Sequence, residues 1–250
     1  MGFWDGLFNQ KSQLQNPLRF DAFKVDMHSH LIPGIDDGVK TLEESVAMIR
    51  GLQDLGFEKL ITTPHVMADT YRNTTDTIES GVQGVRKSLR DAGIAVEIEA
   101  AAEYMLDDNF PALLKKQNLL TIGRNFLLVE MSYFSEPLNL DQLLFDVQVS
   151  NYKVILAHPE RYSFWYNRKD RYQDMLDRQV HLQLNLLSLA GYYGKDVQKM
   201  AGWLLDNDMY SFVGTDLHND QYLKALKDLQ YLPVVEKLMA KSEQFLNSQL

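Results

Sequence analysis

Seven short apolar runs, each followed by a stretch with helical periodicity, constrain the fold of this 250-residue chain most strongly. Such an alternation is typical of a parallel β/α fold, in which helices cover the strands. Seven strands with intervening helices in one chain favour a barrel over an open sheet. The predicted strands are residues 23–28, 59–63, 95–101, 126–131, 153–157, 181–185 and 210–215.

The stretch between the first two predicted strands carries clear helix signals. Residues 41–44 read Thr-Leu-Glu-Glu, a capping box that satisfies free N–H groups at the start of a helix. Apolar residues then recur at helical spacing until Gly56, a residue type that commonly ends a helix. No linker or repeat divides the rest of the sequence, so we predict one domain over residues 23–250.

An aromatic extension, residues 1–22, precedes this predicted domain. Phe3, Trp4, Leu7 and Phe8 lie three and four positions apart, which places them on one face of a short helix. We expect this helix to dock on the body of the protein or on an oligomer partner, so a homo-oligomer stays open as an alternative. A membrane-surface role is disfavoured because the segment has no basic cluster.

Charge and composition exclude several classes of protein. The net charge of −9 disfavours a nucleic-acid binder, which would normally present a basic face. With no cysteine, the chain forms neither disulfides nor thiolate metal sites, which fits a reducing compartment. No apolar run is long enough for a membrane helix, and no cleavable signal is recognisable. We therefore expect a cytoplasmic globular protein.

Polar residues follow the predicted strands at their C-terminal ends, where β/α barrels build their active sites. Five of the six histidines fall there, together with several carboxylates. The sixth histidine, His181, begins its strand, so we expect it at the opposite face. The residues at the C-terminal ends are His28, His30, Asp36, Asp37, His65, Glu103, Glu130, His158, Glu160, Arg161, Asp216 and His218.

This mixture of imidazoles and carboxylates predicts a metal site. Imidazole suits zinc, manganese or iron, and carboxylates can bridge two ions. In His28-x-His30 and Asp216-x-His218 the two side chains point to one side of an extended segment. The ligands outnumber those that one ion takes, so we predict two or three divalent ions. Paired ions stabilise the attacking and leaving oxygens during phosphoryl transfer.

Six motifs together resemble the polymerase-and-histidinol-phosphatase (PHP) superfamily, and more narrowly its bacterial protein-tyrosine phosphatases of the capsule and exopolysaccharide type. His-x-His alone is weak, but the Asp-Asp-Gly and His-Pro-Glu-Arg segments strengthen the match. The resemblance runs from residue 24 to the C-terminus. The motifs are DMHSHLIPGIDDG, TTPH, AAEY, LLVE, LAHPERY and GTDLH.

The resemblance implies a distorted seven-stranded β/α barrel that holds a metal cluster, most often manganese, with iron or zinc as alternatives. The positions that match the family ligands are His28, His30, Asp37, His65, Glu103, Glu130, His158, Asp216 and His218. For Asp36, which neighbours a ligand, loop capping and support of a ligand are both open.

The resemblance also implies roles in catalysis. Arg161 matches an arginine that holds the substrate phosphate, because a guanidinium fits phosphate oxygens in a two-pronged way. Some relatives carry a second arginine after the Asp-x-His motif. This chain lacks it, so Arg72 or Arg168 is considered as a substitute. We expect hydroxide generated at the metal ions to attack phosphorus, and Asp37 or His218 to protonate the leaving tyrosyl oxygen.

An aromatic stretch that directly follows Arg161 offers a wall for the ring of phosphotyrosine. It contains Tyr162, Phe164, Trp165 and Tyr166. Aromatic pairs gain about 0.5–1.5 kcal/mol beyond the burial of area, so we assign substrate contacts to Trp165 and Tyr166. The alternative is that these rings only pack beneath the loop.

The predicted function is therefore hydrolysis of phosphotyrosine on proteins, in the regulation of capsule or exopolysaccharide synthesis. A bacterial tyrosine kinase is a candidate phosphoprotein partner. One alternative is a PHP phosphatase for a small ester such as histidinol phosphate or a nucleotide. Another is a non-catalytic metal-binding regulator of a tyrosine kinase.

Overall fold

The structure is a computed structural model that describes residues 13–250, over which short parallel strands and helices alternate. The strands are β1 Val25–Asp26, β2 Lys59–Thr62, β3 His65–Val66, β4 Glu97–Ala100, β5 Glu103–Met105, β6 Phe126–Glu130, β7 Lys153–Ala157, β8 His181–Asn185 and β9 Phe212–Gly214. The helices are α1 Leu42–Leu55, α2 Thr75–Asp91, α3 Phe110–Lys116, α4 Leu140–Val149, α5 Asp170–Asp177, α6 Leu186–Leu189, α7 Lys195–Asp206, α8 Asp220–Leu229 and α9 Pro233–Ala240.

The strands pair in parallel in the orders β1-β2-β4 and β3-β5-β6-β7-β8-β9. Only two residues separate β2 from β3, and two separate β4 from β5, so the nine segments occupy seven strand positions. The last position returns to the first: the amide of Asp216 donates to the carbonyl of His28 at 2.8 Å, and that of His30 to the carbonyl of Leu217 at 2.9 Å. The predicted distorted seven-stranded β/α barrel is confirmed.

Side chains strengthen the seam between β1 and β9. Buried Asp26 accepts hydrogen bonds from the Thr215 amide at 2.9 Å and from its hydroxyl at 2.7 Å. At the N-terminal end of the strands, the side-chain amide of Asn247 bonds backbone groups of Val25 and Val213. These bonds satisfy backbone groups that no strand ladder pairs.

Two apolar clusters form the core. The larger one joins the outer faces of the strands to the helices, as in α2, where Ile78, Val82, Val85 and Leu89 are buried. The smaller one contains no helix residue, so it fills the inside of the barrel. Its members are Val25, Met27, Ile61, Ala101, Ile122, Leu128, Ile155, Ala157 and Phe212.

Helix α1 begins and ends where the sequence predicts. The Thr41 hydroxyl accepts a hydrogen bond from the amide of Glu44 at 3.2 Å, and the Glu44 carboxylate accepts one from the amide of Lys40 at 2.7 Å. Gly56 ends the helix with a φ of 116°, a conformation that glycine adopts without strain. The predicted helix start at Thr41 and helix end at Gly56 are confirmed, although the Glu44 carboxylate reaches the amide of Lys40 instead of the Thr41 amide that a capping box would use.

The described part of the extension, residues 13–22, lies against the barrel. The amide of Leu14 donates to the carbonyl of Tyr231 at 2.7 Å, and the buried Phe20 ring stacks with Phe57. The aromatic residues predicted to form a helix (Phe3, Trp4, Leu7 and Phe8) lie outside the described residues. Across residues 13–250, no helix has both the length and the apolar character that a membrane crossing requires.

Candidate metal centre

The nine predicted ligands converge at the C-terminal ends of the strands. His28 and His30 follow β1, His65 and Glu103 begin β3 and β5, Glu130 ends β6, and the other four lie in the loops after β1, β7 and β9. Their nitrogen and oxygen atoms form four overlapping groups, each within 4.8 Å: His30, Asp37, His65 and His218; His28, His30 and Asp216; His28, Glu103 and His158; and His65, Glu103 and Glu130.

Glu103 lies in the centre of the cluster. Its Oε2 atom is 3.3 Å from His28 Nε2, 3.6 Å from His30 Nε2 and 3.0 Å from His65 Nδ1. Its Oε1 atom is 3.0 Å from His158 Nε2. A carboxylate that faces several imidazoles through both oxygens is placed to bridge two ions.

Asp37 lies at the solvent side of the cluster. Its Oδ1 atom is 3.4 Å from His65 Nε2 and 3.5 Å from His218 Nε2, while its side chain is 53% exposed. The other carboxylates of the cluster, Glu103, Glu130 and Asp216, are almost fully buried. Asp37 is therefore the carboxylate of the cluster that reaches water most directly.

Neighbouring acceptors orient three of the histidines. His30 Nδ1 is 2.8 Å from Asp36 Oδ2, His28 Nδ1 is 3.0 Å from Gln183 Oε1, and His218 Nδ1 is 2.8 Å from the carbonyl of Asp216. Each of these contacts directs the Nε2 atom into the cluster, as acceptors behind metal-bound histidines commonly do. Asp36 thus combines the two roles that were left open, since it also accepts from the amide of Gly38 at 2.9 Å.

The glycine of the Asp-Asp-Gly motif is explained by a close approach. A Cβ atom on Gly38 would lie 2.3 Å from the carbonyl oxygen of His30 and 2.5 Å from its Cβ. A side chain there would displace the loop that carries Asp36 and Asp37. Glycine at this position therefore permits the ligand geometry.

Two of the predicted ligands adopt left-handed backbone conformations that non-glycine residues rarely adopt. His158 has a φ of 35° and Asp216 a φ of 52°. Strained backbone of this kind persists where the surrounding structure fixes it, and it concentrates at functional sites. In Asp216 the Oδ2 oxygen is fixed further by a hydrogen bond of 2.8 Å from the side-chain amide of Asn185.

The donor set fits divalent metal ions. Although several of them lie close to one another, six buried nitrogen and oxygen atoms of the predicted ligands make no hydrogen bond of acceptable geometry within residues 13–250: His28 Nε2, His30 Nε2, His65 Nδ1, His158 Nδ1, Glu103 Oε2 and Glu130 Oε1. Buried polar atoms are normally paired, so these atoms need another partner. Ligand atoms around an ion with bonds of about 2.1 Å lie about 3.0–3.4 Å apart, which matches most of the separations in the cluster.

Electrostatics point to the same conclusion. Burial lowers the pKa of His28, but the charges of Glu103 and Asp216 outweigh it and raise that pKa to about 10. Burial and the charge of Glu103 raise the pKa of Glu130 to about 7. The site thus concentrates negative charge, which must be balanced by cations. A divalent ion would supply the balancing positive charge in competition with protons.

Arg161 lies beside the cluster. Its Nη1 atom donates to Asp216 Oδ2 at 3.2 Å, and its side chain is 19% exposed. The guanidinium contacts the rings of Tyr133 and Tyr193, with Cζ 4.4 Å and 4.1 Å from their centroids. The predicted phosphate-binding arginine is therefore fixed next to the predicted ligands, with part of its surface open to the site.

One predicted substrate contact, Trp165, needs correction. Trp165 is 0% exposed and donates from Nε1 to Glu136, so it packs beneath the loop and cannot line the site. Tyr166 is half-buried and uses its hydroxyl to reach the carbonyl of Glu160. Arg72 bonds the carbonyl of Ala68 through Nε, and Arg168 pairs with Glu136.

Sequence reasoning missed several residues of the site. Gln183 and Asn185 lie on β8, and both contact predicted ligands, yet no ligand was predicted on this strand. Polar side chains that alternate with Leu182 and Leu184 in a strand predicted to be buried were the available signal. Tyr133 and Tyr193 carried no comparable signal, because their contacts with Arg161 arise only from the fold.

The chain resembles known proteins over most of its length. The family described as capsular polysaccharide synthesis, CpsB/CapC, matches residues 24–237. Tyrosine-protein phosphatase YwqE of Bacillus subtilis (strain 168) is 26% identical over 196 residues, which cover 78% of this chain and 77% of YwqE. Tyrosine-protein phosphatase CpsB of Streptococcus agalactiae serotype V is 25% identical over 201 residues, which cover 78% of this chain and 83% of CpsB.

The fold matches as well. A solved structure from work on YwqE of Bacillus subtilis and CpsB of Streptococcus pneumoniae, described as metal-dependent tyrosine phosphatases, aligns with a TM-score of 0.79 and 25% identity. The alignment covers 90% of this chain and 95% of that one. The predicted resemblance to capsule-type tyrosine phosphatases is confirmed, and the chain belongs to the CpsB/CapC family of capsular polysaccharide synthesis.

Proposed function

We propose that this protein is a metal-dependent phosphatase that hydrolyses phosphotyrosine on proteins in the regulation of capsule or exopolysaccharide synthesis. The observation that carries the proposal is the set of six buried ligand atoms without a hydrogen bond of acceptable geometry, beside the partly exposed Arg161, which pairs with Asp216. The relatives named above are tyrosine-protein phosphatases, which supports the same substrate class. A tyrosine-phosphorylated protein, such as a bacterial tyrosine kinase, is the proposed partner, and the cytoplasm is the proposed compartment.

The proposed metal ligands are the nine residues His28, His30, Asp37, His65, Glu103, Glu130, His158, Asp216 and His218. We propose two or three divalent ions, with manganese preferred and iron or zinc as alternatives. When bound, such ions polarise phosphate oxygens and lower the pKa of water at the site to about 7. Asp36 and Gln183 hold the imidazoles of His30 and His28 in the orientation that this requires.

The side chains at the rim account for the remaining steps. Arg161 binds the phosphate and stabilises the charge that builds on its oxygens during transfer. Asp37 Oδ1 and His218 Nε2 lie 3.5 Å apart at the solvent side of the site. In this proposal either residue passes the proton that the attacking water loses to the leaving tyrosyl oxygen. A phenol leaves readily because its pKa is about 10, so a weak proton donor suffices. The lack of cysteine excludes a thiolate nucleophile.

The test is phosphate release from a phosphotyrosine peptide by the Mn²⁺-loaded full chain. His28→Ala removes a proposed ligand, and His181→Ala serves as the matched control because His181 bonds Ser211 away from the cluster. We expect turnover by the wild type and by His181→Ala, and a loss of at least about a hundredfold in His28→Ala. Absence of turnover by wild type with metal verifiably bound would refute the proposed substrate class.

A further inference from the structure

Three tyrosine rings surround the mouth of the metal centre, and each lies against a histidine of the cluster. Tyr71 stacks on His65 with centroids 5.6 Å apart and an interplanar angle of 13°. Tyr222 lies 5.3 Å from His218, and Tyr133 lies 5.7 Å from His158. A ligand that reaches the cluster must therefore pass between aromatic surfaces.

Tyr133 differs from the other two rings because it contacts Arg161 as well as a histidine of the cluster. The centroid of its ring lies 4.4 Å from Arg161 Cζ, and 40% of the residue stays exposed. Tyr193, whose ring centroid lies 4.1 Å from Arg161 Cζ, has its hydroxyl bonded by the side-chain amide of Asn185 at 3.0 Å. Because two rings lie against the guanidinium, a phosphate that binds Arg161 must use its remaining N–H groups and therefore lies close to Tyr133.

The loop that carries Tyr133, residues 132–139, is held independently of this ring. The carboxylate of Glu136 accepts hydrogen bonds from Trp165 Nε1 at 2.9 Å and from Arg168 Nη1 at 3.3 Å, and it pairs with Arg171. The Glu136 contacts therefore hold the loop that carries Tyr133 from its buried side, while the exposed surface of Tyr133 faces the entrance. Substitution of this ring leaves the Glu136 contacts in place.

We infer that Tyr133 is the residue against which the aromatic ring of the substrate packs, and that it makes the site selective for aryl over alkyl phosphates. The inference rests on the proposed phosphatase function and deepens it. A phosphate held by Arg161 brings its ester group past Tyr133. An aryl group there gains a ring–ring contact that an alkyl group cannot make. This is the role that sequence reasoning assigned to Trp165 and Tyr166.

The test measures binding instead of turnover, with two phosphonates that carry the same charged head group. Benzylphosphonate has an aromatic ring where methylphosphonate has none, and neither is hydrolysed. Dissociation constants for both are measured by titration calorimetry with the Mn²⁺-loaded full chain. The variants are Tyr133→Leu, which removes the ring, Tyr133→Phe, which keeps it, and Tyr231→Leu, a control at a tyrosine of similar exposure (37%) in the turn between α8 and α9.

We expect wild type, Tyr133→Phe and Tyr231→Leu to prefer benzylphosphonate by the same factor within about twofold. In Tyr133→Leu we expect this preference to fall about two- to tenfold, with methylphosphonate affinity unchanged within about twofold. Equal weakening of both ligands would mean that Tyr133 acts only through Arg161, and it would overturn the inference, as would an unchanged preference. Failure of the wild type to turn over phosphotyrosine, in contrast, contradicts the proposed function and is observed in a separate assay.

Discussion

Residues that bind no metal themselves decide how the histidines of this site point. The amide oxygen of Gln183 accepts from His28 Nδ1, and the carboxylate of Asp36 accepts from His30 Nδ1. Because each imidazole has two nitrogens, fixing one leaves the other to face the cluster. The metal affinity therefore depends on residues behind the ligands as well as on the ligands.

We predict that Gln183→Leu weakens Mn²⁺ binding about ten- to a hundredfold, since His28 loses the partner that orients its ring. The measurement is competition for Mn²⁺ with a chelating indicator. Gln173→Leu, at an exposed position of α5, serves as the control and is expected to bind Mn²⁺ like the wild type. Equal affinity of the Gln183 variant and the wild type would contradict the role given to this residue.

His181 lies away from the metal centre and gives a prediction on stability. Burial and the charge of Lys153 lower its pKa below the ordinary value in the folded protein. The unfolded chain therefore binds a proton more readily, so His181 favours the folded state above about pH 6.5 and loses this contribution as the pH falls.

We predict that His181→Gln reduces the loss of unfolding free energy between pH 7.5 and pH 5.5. Urea unfolding of the wild type and the variant at both pH values measures this difference, and glutamine keeps a polar partner for Ser211. Other groups titrate equally in both proteins, so the comparison isolates His181. An identical pH dependence in the two proteins would show that the pKa of His181 is the same in the folded and unfolded chains.

At the scale of the elements, the sequence predicts the strands well because each one is a short apolar run between a helix and a polar end. What it does not predict is the break of two strand positions, at Thr63-Pro64 and at Ala101-Ala102. Proline lacks a donor for the ladder, which explains the first break. The second follows from the pairing of β5 with β3, a contact between distant segments that no local pattern encodes.

The seam between β1 and β9, which closes the barrel, depends on side-chain hydrogen bonds more than the other strand pairs do. Asn247 accepts from the amide of Val213 at 2.9 Å and donates to the carbonyls of Val25 and Val213 at 2.9 and 2.8 Å. Because this residue is fully buried, water cannot replace these bonds. The C-terminal segment thus joins the first and last strands.

We predict that Asn247→Ala lowers the free energy of unfolding by about 2–4 kcal/mol, because it leaves buried backbone groups unpaired. Asn207→Ala is the matched control: the exposed side chain of Asn207 bonds the carbonyl of Trp203, so we expect a change within about 0.5 kcal/mol. Both values come from urea unfolding. Similar stabilities of the two variants would show that the seam does not need Asn247.

For the whole molecule, sequence predicts best that the nine proposed ligands converge, and it predicts worst which side chains lie around Arg161. The ligands occupy equivalent places, the C-terminal ends of strands, so a correct strand assignment brings them together. Trp165 and Tyr166 come four and five residues after Arg161, but the turn of residues 159–165 directs Trp165 into the core and leaves Arg161 at the surface of the site. Tyr133 reaches Arg161 from a different loop, which only the folded chain reveals.

The central claim is that one buried cluster binds more than one ion and hydrolyses phosphotyrosine. Its most direct test titrates metal-free full chain with Mn²⁺ and follows both bound metal per chain and phosphate release from a phosphotyrosine peptide. We predict that activity rises with metal content and reaches its plateau at two or three ions per chain. Full activity without metal, or a plateau at one ion, would contradict the account.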